Sequence, residues 1–274
     1  MIQQYTQYMS SVRGYSQHTV NAYVRDINHF ARWAMATVQG VRWSTMTRST
    51  IDAYMSALSD HGYTPATINR RLASISSLFH WMQREGLKVD NPCRYESRKK
   101  IARRQPSTID ADSIRQAISQ AREDVAVAIQ LIWTAGLRTS EVLNLHTWDI
   151  DRNELSIIVR GGKGAKDRKV YTDADTMARL QRYAAGKRGL IFYWSARELR
   201  YEVWQALKCT SSAPSLNPRA LRHTFATTMA KNGANATTIA ALMGHEQLAT
   251  TQRYIDFAGV GVREQYLKFN PNQA

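Results

Sequence analysis

A chain of 274 residues with 43% apolar content is long enough for two domains of ordinary size and too apolar for a disordered tail. Its formal charge of +15 and pI near 10.0 favour a polyanionic partner, with nucleic acid ahead of a membrane surface or a ribosome-associated role. Two cysteines, Cys93 and Cys209, are too few for a disulfide framework, and no apolar run approaches the roughly 18 residues of a membrane helix.

The N-terminal run through Gln3, Gln4, Tyr5 and Thr6 has no basic-then-apolar leader pattern, so the expected compartment is the cytoplasm or nucleoid. From Ser16, a plausible cap, apolar residues recur at Val20, Tyr23, Val24, Ile27, Phe30, Ala31 and Ala34, which is helical spacing. A second helix is predicted from about Thr47, with Ile51, Tyr54, Met55 and Leu58 on one face. A third opens on Thr64-Pro65, a cap followed by proline at the first helical position, and stops at Gly86. These helices predict a first domain over 1–88.

A break follows over 89–106. It has little periodicity and carries Arg94, Arg98, Lys99, Lys100, Arg103 and Arg104. Two readings fit: a solvated charged linker, or a linker that lies against a phosphate backbone. The second explains why so many like charges would be gathered there.

The remainder, 107–274, reads as mixed. Helices are expected near 111–121, 125–135 and 140–145, followed by a hairpin whose strands are 155–159 and 169–172. Further helices are expected near 173–185, 195–207, 219–232, 237–243 and 249–254, with a last one over 262–269. The overall expectation is a mainly α protein with a small β-hairpin in its second domain.

That second part carries separated residues suited to phosphodiester chemistry. Arg138 lies in Gly-Leu-Arg, Lys163 in Gly-Gly-Lys-Gly, Arg222 in Leu-Arg-His, His245 in Met-Gly-His and Tyr254 in Thr-Gln-Arg-Tyr. Arginine suits the non-bridging oxygens, because its planar fork donates two hydrogen bonds and stays charged. A desolvated lysine can act as an acid toward a departing alkoxide, and a tyrosine can attack to leave a phosphotyrosyl ester that conserves the bond energy. Nothing in this scheme calls for a cofactor or a metal. Singly, each piece has a bland reading: a helix end, a hairpin turn, a structural histidine, an aromatic on a short helix. The glycine-rich turn lacks the full pattern of a nucleotide-binding loop.

Four stretches occur together in order: TAGLRTSEVLNL over 134–145, GGKGAKDR over 161–168, LRHTFAT over 221–227 and LMGHEQLATTQRY over 242–254. In these the chain resembles the tyrosine recombinases, also called the phage integrase family. The helices after Gly14-Tyr15-Ser16 are similar to that family's SAM-like core-binding domain, a less specific match.

The resemblance implies a two-domain, C-shaped clamp around double-stranded DNA, made of a helical core-binding domain and an α+β catalytic domain. It implies that Arg138 and Arg222 grip the scissile phosphate, that Lys163 protonates the leaving 5′ oxygen (with Lys166 the alternative), that His245 bonds a phosphate oxygen, and that Tyr254 forms the 3′-phosphotyrosine link. Glu141, one helical turn after Arg138, would orient it. Lys166, Arg168 and the cations of 89–106 would contact DNA. A homotetramer on two DNA sites is implied, with accessory DNA-bending proteins as further partners. The tail containing Tyr266 and Leu267 would pack on a neighbouring subunit or close its own domain. With no arm-binding domain ahead of the core-binding helices, the chain is similar to the simpler Xer, integron or small transposon enzymes.

Position 219 departs from the family. A histidine is usual there, three residues before the second arginine, and this chain has Arg219. Arginine keeps the charge and the donor but cannot act as a base at neutral pH. His223 is adjacent to Arg222, yet a one-residue step turns a helical side chain by about 100°, which makes it a poor substitute. Arg219 is therefore expected to be a tolerated variant, with a slowed or inactive enzyme as the alternative. A type IB topoisomerase and a DNA-binding regulator remain the competing functions.

Overall fold

The computed structural model describes residues 1–94, 99–100, 105–161 and 167–259. The chain forms two compact units, Met1–Arg103 and Arg104–Ala274. It is mostly helical with one small antiparallel sheet, as expected. No helix among the described residues is long and apolar enough to cross a membrane.

The first unit holds α1 (Ile2–Gln7), which runs into a π-helical turn at Tyr8–Val12, then α2 (Gln17–Thr37), α3 (Arg48–Asp60) and α4 (Pro65–Arg84). Ser16, Thr47 and Thr64 are the N-caps of α2, α3 and α4, and each hydroxyl accepts from the backbone N–H three residues on. Val20, Ile27, Phe30, Ile51, Tyr54, Ile75, Leu78 and Phe79 meet in the core. Helix α1 was not foreseen. Six residues are too few to show a period, but Tyr5 and Met9 are fully buried and the Tyr5 hydroxyl donates to Ser77 Oγ at 2.8 Å. Tertiary packing, not local propensity, makes this helix.

Two charged side chains among the described residues lie inside this bundle, Asp26 and Arg71. Asp26 on α2 is 1% exposed and is met from α4 by Arg70 and by Ser74 Oγ at 3.0 Å. The basic stretch begins on this unit: Asn91 and Cys93 are buried, and the Lys99 backbone exchanges hydrogen bonds with the Asn69 side chain at 2.8 and 2.9 Å. The Lys99 ammonium donates to Ser59 Oγ. Lys100 and Arg94 are exposed. Arg98, Arg103 and Arg104 lie outside the described residues.

The second unit is built around α6 (Glu123–Thr134), in which residues from Val125 to Ile132 are buried almost all round, the signature of a core helix. Against it pack α5 (Ala111–Gln120), α8 (Ala174–Ala184), α9 (Ala196–Lys208) and α10 (Pro218–Lys231). The short α7 (Thr139–Leu143) follows α6, and α11 (Ala236–Met243) and α12 (Leu248–Ala258) pack on α10. The sheet runs β1 (Ile150–Asp151), β2 (Ser156–Val159), β3 (Arg168–Tyr171). Pairing of Ile157 with Val170 and of Val159 with Arg168 places Arg168 at the end of the hairpin nearest its turn. Strand β1 was not foreseen because two half-buried residues carry no pattern.

Gly136, between α6 and α7, has φ +64°, and a Cβ there would lie 2.5 Å from Phe225 Cδ1 on α10. The glycine of Gly-Leu-Arg thus serves both a left-handed backbone and a close approach to α10. That approach brings α7, and with it Arg138, up to α10, and with it Arg222.

Candidate active site

The site forms where the start of α7, the start of β3, the buried face of α10 and the α11–α12 connection converge. Glu141 is its electrostatic centre. The carboxylate accepts from the backbone N–H of Arg138 at 2.8 Å and from Arg138 Nη1 at 2.7 Å. Arg168 adds a two-pronged pair, Nη1 and Nη2 each at 2.8 Å, and Arg222 Nη1 lies 3.7 Å away. Burial by itself would raise the Glu141 carboxyl, but hydrogen bonds and charge from Arg168 and Arg138 outweigh it and hold it at about 2. Three cations surround one anion, so the cluster keeps an excess of positive charge.

The same arginines close the end of α11. Arg168 Nε donates to Leu242 O at 2.8 Å, Arg222 Nη2 to Met243 O, and Arg138 Nη2 to Gly244 O at 2.7 Å. Carbonyls at a helix C-terminus lack intrahelical partners and carry the negative end of its dipole, so guanidinium groups suit them. Arg222 Nη1 also donates to Gly136 O. Gly244 has φ +62°, and a Cβ there would meet Arg168 Nη1 at 3.0 Å and Arg138 Nη1 at 3.2 Å. Glycine suits both the left-handed backbone and the tight approach of the two guanidinium groups.

Arg168 was expected to contact DNA. Its guanidinium is instead directed inward, with Nε, Nη1 and Nη2 all donating to protein acceptors and 12% of the side chain exposed. The sequence suggested exposure because Arg168 follows a polar turn; its partner Glu141 is distant in sequence and near only after folding.

Arg222 is also deeply placed. Burial, reinforced by the Arg138 charge, pushes it down to about 9, still protonated at neutral pH. A cavity of about 310 Å³ opens beside it, lined by Arg138, Arg219, Arg222, His223, His245, Arg253 and Tyr254. Of the predicted site residues, Arg138, Arg219, Arg222, His245 and Tyr254 share this cavity, and Glu141 stands behind the arginines. Lys163 and Lys166 lie outside the described residues, in the segment between β2 and β3. Among the described residues no group of three or more histidine, cysteine or acidic side chains could hold a metal ion.

Tyr254 on α12 is 2% exposed and packs with Phe225, Ala226 and Met243. Its hydroxyl lies 2.6 Å from Nδ1 of His223. Burial pushes the phenol up, against the lowering effect of Arg253, Arg222 and Arg219. His245 lies over the Tyr254 ring, with centroids 6.5 Å apart and planes at 17°, and its Nδ1 is 2.8 Å from Thr251 Oγ1. Burial and the charge of Arg222 and Arg138 lower His245 to about 4, so it is a neutral hydrogen-bonding group at pH 7. The Arg253 guanidinium is 5.5 Å from the Tyr254 ring centroid.

His223, a poor substitute for the missing histidine by its direction on α10, nevertheless meets the Tyr254 hydroxyl. The rotation of about 100° per residue is real, but it describes direction relative to Arg222 and not the position of α12. Helix α12 crosses α10 so that Tyr254 meets the His223 edge. Arg253 and Thr251 were also missed; their sequence signal is no more than proximity to Tyr254.

The model of the phage integrase family matches residues 107–258, which contain all of this cavity's residues. The chain belongs to that family. The N-terminal SAM-like domain model of phage integrases matches residues 2–86. Among curated relatives, a tyrosine recombinase XerC of Listeria innocua is 26% identical over 96% of this chain and 95% of its own length. A tyrosine recombinase of Thermosipho africanus is 28% identical over 94% and 95%. Among solved structures, a XerH site-specific recombinase bound to a palindromic difH substrate superposes with a TM-score of 0.76 at 16% identity, covering 100% of this chain and 85% of that one. The last of these likenesses concerns the fold.

Proposed function

We propose that this tyrosine recombinase cuts and rejoins duplex DNA at specific sites, exchanging strands through a 3′-phosphotyrosine intermediate on Tyr254. One observation carries the reading: the Tyr254 hydroxyl and the Arg138 and Arg222 guanidinium groups line the same cavity, where an excess of positive charge surrounds a nucleophile. The scissile phosphate sits against Arg138 and Arg222, with His245 supplying a neutral donor to a non-bridging oxygen. Tyr254 Oη bonds to phosphorus and the 5′ oxygen leaves. Lys163 protonates that oxygen, Lys166 being the alternative acid. The partner strand's 5′-hydroxyl then reverses the chemistry on the new junction.

Glu141 and Arg168 hold the two phosphate-binding arginines in register without touching substrate. Cations of the basic stretch, the exposed Arg94 and Lys100 together with Arg98, Arg103 and Arg104, add sequence-independent affinity through the phosphate backbone. The working form is a homotetramer on two DNA sites in the cytoplasm, with accessory DNA-bending proteins setting the direction of exchange.

The test begins with duplexes selected from a randomised library by the Tyr254→Phe protein. A duplex of selected sequence, nicked next to the cut, traps cleavage because the short 5′ fragment diffuses away. The wild-type chain forms a covalent adduct on a denaturing gel and Tyr254→Phe forms none. Absence of an adduct with every selected sequence overturns the reading. Exchange between two sites, rather than relaxation of a supercoiled circle alone, separates a recombinase from a topoisomerase.

A further inference from the structure

The family's usual histidine is missing at position 219, yet the nucleophile is not left without an imidazole. His223 Nδ1 lies 2.6 Å from Tyr254 Oη, and on its other side the ring faces Arg219, whose Nε–H donates to His223 Nε2 at 3.3 Å. Arg219 and His223 are one turn apart on α10, so the pair is built into a single rigid element. A guanidinium can only donate. Nε2 of His223 must therefore accept, and in a neutral ring the proton then resides on Nδ1, facing the tyrosine.

We infer that His223 is a catalytic residue that donates its Nδ1–H to the Tyr254 oxygen, and that Arg219 is the positioning residue that sets this tautomer. The inference rests on the recombinase reading given above. It redefines the substitution at position 219: the arginine does not stand in for a lost histidine but recruits the one at 223. The surroundings keep the ring neutral. Burial, followed by the charges of Arg219, Arg253 and Arg222 and by His245, lowers His223 to about 4. Those groups come from α10, from α12 and from the connection between α11 and α12; Arg138 at the start of α7 lines the same cavity.

In cleavage the Tyr254 Oη–phosphorus bond forms, the phosphorus–5′ oxygen bond breaks, the phenolic proton passes to solvent water, and the 5′ oxygen takes its proton from the lysine acid. His223 keeps its own proton throughout. Its hydrogen bond strengthens as negative charge collects on Oη before attack. In rejoining, the same bond stabilises Tyr254 as the departing phenolate. A donor that serves both directions suits a reaction that must run both ways.

The tautomer can be read directly. Long-range ¹H–¹⁵N spectra of the full chain labelled at its 7 histidines, with the His223 signals identified by their loss in His223→Asn, report which ring nitrogen is protonated. The expected result is Nδ1–H in the wild type and a shift toward Nε2–H in Arg219→Met. A parallel arm times single-turnover cleavage of the selected nicked duplex. Losing a hydrogen bond to a developing charge slows cleavage roughly 10- to 100-fold in His223→Leu. His223→Asn, whose side-chain amide can donate from nearly the same place, regains most of the rate. Nε2–H in the wild type, an unchanged tautomer in Arg219→Met, or His223→Leu and His223→Asn both cleaving at the wild-type rate overturns the inference while the recombinase reading stands. No adduct with the wild type overturns the recombinase reading itself, and the catalytic role of His223 falls with it.

Discussion

Glu141 and Arg168 are joined by two parallel 2.8 Å hydrogen bonds that link the start of α7 to the end of the β2–β3 hairpin. The pair matters because it turns a strand terminus into part of the arginine cluster. Arg138 and Arg168 hydrogen-bond the same carboxylate, and Arg222 lies 3.7 Å from it, so the geometry of the Arg138–Arg222 pair depends on residues that do not line the cavity. Removing the carboxylate leaves three buried or half-buried cations facing one another. Glu141→Gln is expected to destabilise the second unit by about 3 kcal/mol, measured as a loss of urea-unfolding free energy. Stability within about 0.5 kcal/mol of wild type would show that the cluster does not need its anion.

Arg168 and the exposed cations separate in a salt titration. If Arg168 is a structural partner of Glu141 and of the α11 carbonyls, Arg168→Met lowers the melting temperature but leaves the slope of log affinity against log salt for a generic duplex unchanged. Lys100→Ala leaves melting alone and makes that slope shallower by up to about one unit. The reverse pattern would return Arg168 to the DNA-contacting set.

Gly136 tests the close approach of α6 to α10. Alanine there has an unfavourable φ and a Cβ 2.5 Å from the Phe225 ring, so Gly136→Ala is expected to cost about 2 kcal/mol or more. Adding Phe225→Leu relieves the clash but not the backbone strain and recovers part of the loss. Recovery of none of it, in the same chemical-denaturation series, would mean that the ring is not the obstacle.

The depressed histidines give the second unit an acid limb. His223 and His245 sit at about 4 in the folded chain against about 6.5 when unfolded. The unfolded chain therefore binds more protons between those values, and stability falls as pH drops from about 6.5 toward 4. Glu141, held at about 2, contributes stability that is complete above its unfolded value and is lost only at still lower pH. Melting curves from pH 7 to 4.5 are expected to show a steady decline that flattens in His223→Asn. An identical decline in that variant would remove His223 as a cause.

How much of this was legible differs by feature. The caps at Ser16, Thr47 and Thr64 were readable because capping is local chemistry, set by a hydroxyl and an amide three residues apart. The order of Arg138, Arg222, His245 and Tyr254 was readable because their four stretches occur together as in a known family; in two of them the structure adds a backbone reason, at Gly136 and Gly244. What escaped the sequence was cross-chain. Arg168 reads as a surface cation until Glu141 is brought to it, and Tyr5 reads as part of a polar terminus until Ser77 is brought to it. The case of His223 is the most instructive: periodicity gives the direction of a side chain on its own helix and says nothing of where the next helix crosses.

The proposed attack of Tyr254 on DNA phosphate takes place in the cavity that Arg138 and Arg222 line. The most direct test is mass spectrometry of the protease-digested adduct formed on the selected nicked duplex. The expected result is a phosphonucleotide on the peptide containing Tyr254 and its loss in Tyr254→Phe. A nucleotide attached to any other residue, or an adduct that survives in Tyr254→Phe, would contradict it.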